Sequence, residues 1–138
     1  MFAKIFLSIV FMASSWGAMA QEDTAPWQAV VTDQIDALKD GSVRAALDLA
    51  GAGFRSSYDD PNKFLSDILR SGYGPIVESR SFDFGRFEKT EGGLVLQVVN
   101  LVGQDQSLYE AVYQMVDEPN VGWRVQGVVL RKVPGLGV

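Results

Sequence analysis

Apolar positions along the chain fall into three kinds of pattern: an almost unbroken run near the start, helical spacing up to Leu69, and strand spacing after Glu78. In the middle region Pro26 opens a helical stretch, its fixed φ suiting a first turn. Trp27, Val30, Val31, Ile35 and Leu38 recur at helical intervals and form one stripe. Asp40-Gly41 ends that helix, glycine being the usual residue where the chain turns left-handed. A shorter helix follows, with Ser42 able to cap it, Ala45, Ala46, Leu47 and Leu49 filling it, and Gly51 stopping it. Asp60-Pro61 starts a third helix, cap then first-turn proline. Phe64, Leu65, Ile68 and Leu69 form its apolar face, and Ser71-Gly72 closes it.

Four strand-like segments follow, separated by turn residues at hairpin spacing. They run over Glu78–Glu88, Leu94–Val102, Ser107–Val116 and Trp123–Val133, with turns at Glu91-Gly92-Gly93, Gly103–Gln106 and Glu118–Gly122. The second segment is apolar on both faces, which marks a central strand. Gly127, midway along the last, marks a bulge at which the strand bends. Three helices and then a four-stranded antiparallel meander, without crossover helices, predict an α+β domain whose helices cover one face of a curved sheet.

The apolar run near the start carries a different message. Lys4 is the only charge before Glu22, Ile5 to Ala13 is an almost unbroken apolar run, and Ala18-Met19-Ala20 puts small residues where a signal peptidase needs them. This is the pattern of a secretory signal peptide, and a membrane-crossing helix needs about 20 apolar residues. Cleavage after Ala20 is expected, leaving a polar leader (Gln21–Ala25) and one domain over residues 21–138. A periplasmic protein without a stable membrane anchor is the expected product.

Composition then removes whole classes of chemistry. The chain has neither Cys nor His, so thiol catalysis, histidine general bases, serine–histidine triads and histidine- or thiolate-held metals are excluded. Stability has to come from packing, without disulfides. Beyond residue 20 there are eleven Lys and Arg (twelve less Lys4) against 17 Asp and Glu, a net charge of −6. The basic residues are scattered, which disfavours nucleic acid and anionic membranes as partners. Asp59, Asp60 and Asn62 fall short of a calcium loop, and Asp60 is accounted for as a helix cap. No metal or cofactor is expected.

Three stretches together resemble a family of exported bacterial proteins known as a domain of unknown function, number 4864. They are Val31-Thr-Asp-Gln-Ile-Asp-Ala-Leu38, Gly72-Tyr-Gly-Pro-Ile-Val77 leading into Arg80-Ser-Phe-Asp-Phe-Gly85, and Gly122-Trp-Arg-Val-Gln-Gly-Val-Val-Leu130. The resemblance spans about Trp27 to Leu130. Where that family usually follows Gly-Tyr with two prolines, this chain has Gly74-Pro75. The resemblance implies a nuclear-transport-factor-two-like cone, a fold that hosts isomerases, dehydratases, scaffolds and ligand binders and so does not choose a function. It carries no catalytic residues to transfer.

The candidate site residues come from the pattern itself. Gln34 falls within the apolar stripe of the first helix, either as a buried amide bonded to backbone or as a polar group in a ligand cavity. Tyr109, Tyr113 and Met115 share one face of the third strand, with Trp123 opening the next, as core or as an aromatic-lined pocket. Tyr73 lies in the turn between helices and sheet, where loops carry function. Glu110 is the acid that an isomerase would use if buried; on the opposite face from Tyr109 it is instead a solvated member of a cross-strand charge pair. The first function expected is a non-enzymatic domain that binds a small apolar ligand or a protein partner, through Gln34, Tyr73, Tyr109, Tyr113 and Trp123. The alternatives are a carboxylate-dependent isomerase or dehydratase, and a homodimer through an outer sheet face centred on Val95, Val99 and Leu101.

Overall fold

The computed structural model describes residues 25–134. The expected signal peptide and all of the leader except Ala25 lie outside the described residues.

Helix α1 (Pro26–Asp40) forms where the apolar stripe predicts it, burying Trp27, Val31, Gln34, Ile35, Ala37 and Leu38. Gly41 terminates it at φ 79°, a conformation that costs a residue without a Cβ little. The Gly41 N–H bonds the Leu38 carbonyl and the Ser42 N–H the Ala37 carbonyl at 2.8 Å, so two of the orphan carbonyls are satisfied. Helix α2 (Val43–Asp48) follows at once. Ser42 holds its N-cap position, yet its side chain makes no capping bond. In helix α4 (Pro61–Arg70) the Asp60 carboxylate does cap, accepting the Asn62 N–H at 3.0 Å.

Two further helices make five among the described residues, where the sequence predicts three. Helix α3 (Ala52–Ser57) buries none of its residues. Helix α5 (Gly74–Val77) is a single turn started by Tyr73 and Pro75, with Ile76 in the core. Neither has an amphipathic stripe long enough to register as a periodicity.

Strands β1 (Ser81–Lys89), β2 (Val95–Val102), β3 (Leu108–Glu118) and β4 (Gly122–Lys132) pair antiparallel in chain order. The class is α+β, with helices on one face of an open sheet. Two bulges interrupt the ladder. In β4, Gln114 faces Gly127 but Met115 faces Val125, leaving Gln126 unpaired beside the predicted glycine. In β1, the two residues Gly85 and Arg86 stand opposite the single residue Val98 of β2. The extra residue locally disrupts the ladder and bends the strand.

Buried side chains gather in two clusters. One lies between α1 and the sheet: Trp27, Val31, Ile35 and Ile76 against Val95, Val99, Leu101, Ala111, Tyr113, Met115 and Val125. The other lies among the helices, where Ala37, Leu38, Ala46, Leu47, Ala50 and Phe64 meet. Val95, Val99 and Leu101 are therefore core residues, almost wholly buried, and not the centre of an outer face. Leu96, Val98, Asn100 and Val102 occupy the outward positions of β2, because side chains alternate across a strand.

One polar side chain lies wholly inside the first cluster. Gln97 is fully buried on the inward face of β2. Its Oε1 accepts the Trp27 Nε1–H at 2.8 Å and a Gln28 Nε2–H at 3.1 Å. Its Nε2 donates to the Gly85 carbonyl at 3.0 Å, the Arg86 carbonyl at 3.3 Å and the Val98 carbonyl at 2.8 Å. The β1 bulge frees backbone acceptors from the ladder, and Gln97 takes them up while tying the start of α1 to the sheet.

Candidate functional site

The two clusters do not close completely on each other. At their seam lies a cavity of about 130 Å³, walled by Leu38, Phe64, Ile68, Ile76, Val125 and Val128, with Ala50, Phe54 and Gly127 completing its apolar surface. Around it, helix α2 packs on α1, and α4 packs on α2 and α5 instead of lying flat on the sheet.

Three polar side chains reach this cavity: Gln34, Tyr73 and Tyr113. Gln34 is 5 % exposed, and its Nε2 donates to the Ala46 carbonyl at 3.0 Å. It is the backbone-bonded buried amide of the first expectation, and its side chain also borders the cavity. Tyr73 occupies the N-cap position of α5, and its hydroxyl donates to the Val128 carbonyl at 2.8 Å. Tyr113 projects from the middle of β3, 1 % exposed. Its hydroxyl donates to no group among the described residues. Burial pushes the Tyr113 phenol well above the usual tyrosine value, because a phenolate would be stranded among apolar groups.

The remaining candidates lie elsewhere. Trp123 packs edge-on against Trp27 at 5.3 Å between ring centres, a structural contact near the start of α1. Tyr109 sits toward the opposite end of β3 beside Phe82, Asp83 and the Gly103 turn. So three of the five aromatic and polar candidates converge and two do not. Tyr109 and Tyr113 share a strand face, but four residues along a strand separate them by roughly 13 Å. Glu110 lies on the other face, where its Oε1 accepts Arg131 Nε–H at 3.0 Å across the β3–β4 pair. None of the residues lining the cavity carries a carboxylate, ammonium or guanidinium group.

Phe54 is the wall residue that sequence reasoning missed. It stands on α3, is 38 % exposed, and touches Phe64 edge-on at 6.2 Å. It lines both the cavity and a neighbouring surface groove formed by Gly51, Ala52, Ser57, Val116, Glu118 and Gln126. Glu118, at the end of β3, fixes the helix that carries it. One carboxylate oxygen accepts the Ala52 N–H at 2.8 Å and the other pairs with Arg55 at 2.8 Å. Arg55 also donates to the Ala50 carbonyl at 2.6 Å. The hydrogen bond from Arg55, then that from Ala52, holds the Glu118 carboxyl below the usual glutamate value. No local signal in the Gly51–Ser57 stretch points to this arrangement, since the partner lies more than sixty residues away.

No helix among the described residues is long and apolar enough to cross a membrane. No curated protein and no solved structure matches the chain. Residues 20–138 match the family described as Domain of unknown function (DUF4864), and the chain belongs to that family.

Proposed function

We propose that this member of the family is a non-enzymatic binding domain that holds a small apolar ligand in the cavity between its helices and its sheet. The observation that carries this reading is the cavity itself: apolar walls with a few convergent polar groups, which is the make-up of small-molecule sites. The alternative, carboxylate-dependent isomerisation or dehydration, needs an acid beside the ligand. Glu110, the acid that reading would use, is paired with Arg131 on the outer face of the sheet. The helix-on-sheet arrangement is in keeping with a nuclear-transport-factor-two-like cone. The apolar run ahead of Ala18-Met19-Ala20 supports export and action in the periplasm, with Gln21 as the first residue of the working protein.

Native mass spectrometry of the protein, purified from cells without denaturation, tests both parts. The expected result is an intact mass that begins at Gln21 and a reproducible adduct that is lost on denaturation. Gln34→Leu and Tyr113→Ala should abolish the adduct. A homogeneous dimer with nothing bound, together with no response to small apolar molecules at millimolar concentration, would overturn the binding reading in favour of self-association.

A further inference from the structure

Resting on the reading of the cavity as a binding site, we infer that its ligand is a neutral molecule of roughly five to seven heavy atoms whose oxygen accepts a hydrogen bond from the Tyr113 hydroxyl. Size comes from the volume. An apolar cavity of about 150 Å³ accepts benzene, and this one is about 130 Å³.

Neutrality comes from the walls. No basic or acidic side chain lines the cavity, so a carboxylate, phosphate or ammonium ligand would be buried without a counter-charge. The desolvation penalty of an unpaired ion exceeds anything such a small apolar contact area returns. The polar end of the ligand therefore has to be an uncharged group, such as a ketone, aldehyde, ether or ester oxygen.

The hydrogen-bond inventory favours an acceptor as that group. Of the three polar side chains in the wall, Gln34 is anchored by one N–H to the Ala46 carbonyl and Tyr73 spends its only donor on the Val128 carbonyl. Tyr113 is the one whose hydroxyl donates to nothing among the described residues, although the residue is almost fully buried. A donor that opens onto an apolar cavity and has no protein partner is poorly solvated there, and a ligand that supplies an acceptor improves its surroundings. Its raised pKa keeps the group an O–H donor at any physiological pH. The site thus discriminates by what it leaves unsatisfied, the form of selectivity in which a buried polar group rejects analogues that cannot pair with it.

Three probes of similar size separate the elements of this inference. Cyclohexanone has an acceptor, methylenecyclohexane has the same shape without one, and valerate carries a charge. Binding of each to the purified protein and to Tyr113→Phe is read from chemical-shift titrations. Cyclohexanone should bind the Tyr113→Phe variant about three- to ten-fold more weakly than the wild type, the worth of one neutral hydrogen bond. Methylenecyclohexane should bind the variant as well as the wild type or better, and valerate neither protein. In the wild type, the carbonyl stretch of bound cyclohexanone should lie at lower frequency than in an alkane solvent, a measurement that does not depend on the variant folding. If both neutral probes bind and the substitution affects them equally, or the carbonyl band is unshifted, Tyr113 is not the donor and the inference fails while the cavity reading stands. Binding of valerate overturns the requirement for neutrality. If neither neutral probe binds, the inference and the reading of the cavity fall together.

Discussion

Replacing Gln97 with leucine keeps nearly the same volume inside the core and removes every hydrogen bond that the amide makes. The Trp27 indole N–H then has no acceptor, and Trp27 is 4 % exposed, too buried for water to serve. Leaving one such donor unsatisfied costs about 1–3 kcal/mol. The Gly85 and Arg86 carbonyls lose their donor as well, but they are partly accessible and recover some hydration, adding about 1–2 kcal/mol. The expected loss is therefore about 2–5 kcal/mol, a large part of the roughly 5–15 kcal/mol that holds a domain of this size together. At about 4 °C per kcal/mol it lowers Tm by roughly 8–20 °C. Urea unfolding followed by circular dichroism measures the loss. A double-mutant cycle with Trp27→Phe isolates the amide–indole pair, and the two substitutions should couple by at least about 1 kcal/mol. A Gln97→Leu protein within about 1 kcal/mol of wild type, or strictly additive effects, would refute the reasoning.

Two other perturbations have defined outcomes. A Cβ on Gly85 would sit 3.1 Å from Val98 Cγ1 and 3.3 Å from Asn100 Nδ2. Gly85→Ala should therefore destabilise by about 1–3 kcal/mol in the same unfolding assay, because a β-branched neighbour in a strand has little room to turn. Glu118 has its folded-state pKa lowered, so its contribution is present above the unfolded value, near 4.5, and is lost as pH falls through the lower folded value. Urea midpoints measured from neutral pH into that acid range should decline less steeply in Glu118→Gln than in the wild type. Parallel acid limbs would show that the Arg55–Glu118 contact adds nothing to stability.

Much of the architecture was legible because single elements carry redundant signals. Helix α1 is announced by Pro26, by its stripe and by Gly41, and the stripe also points Gln34 inward, where the structure has it. The four strands and the Gly127 irregularity follow from turn residues and β-rich runs. What failed was the orientation of β2. Its two polar residues, Gln97 and Asn100, have opposite parity, so alternation gives contradictory answers about which face is wet. The contradiction is resolved only by the β1 bulge, whose carbonyls require a polar side chain inside, and a bulge in a neighbouring strand leaves no mark within β2. Helix α3 was invisible for a related reason: it is held by Glu118 from the far end of the sheet and not by an apolar face of its own. The convergence of Tyr73 with Gln34 and Tyr113 depends on the turn between α4 and α5 lying where the Tyr73 hydroxyl reaches Val128 of β4, a tertiary fact that no local pattern encodes.

The bulged, clamped β1 has a consequence at the level of many molecules. A four-stranded sheet has two open edges, and an open edge is a template onto which another chain can add. Here both edges are interrupted near their middles. β1 is bent by its extra residue, with the freed carbonyls turned inward to Gln97. On β4, Val125 exchanges hydrogen bonds with Leu49 and Gly51 of the same chain, and Gln126 breaks the row just beyond. Neither border offers an incoming strand a long unbroken ladder. The features that shape the core thus also bring the sheet to an end, so that growth into fibrils has nowhere easy to begin.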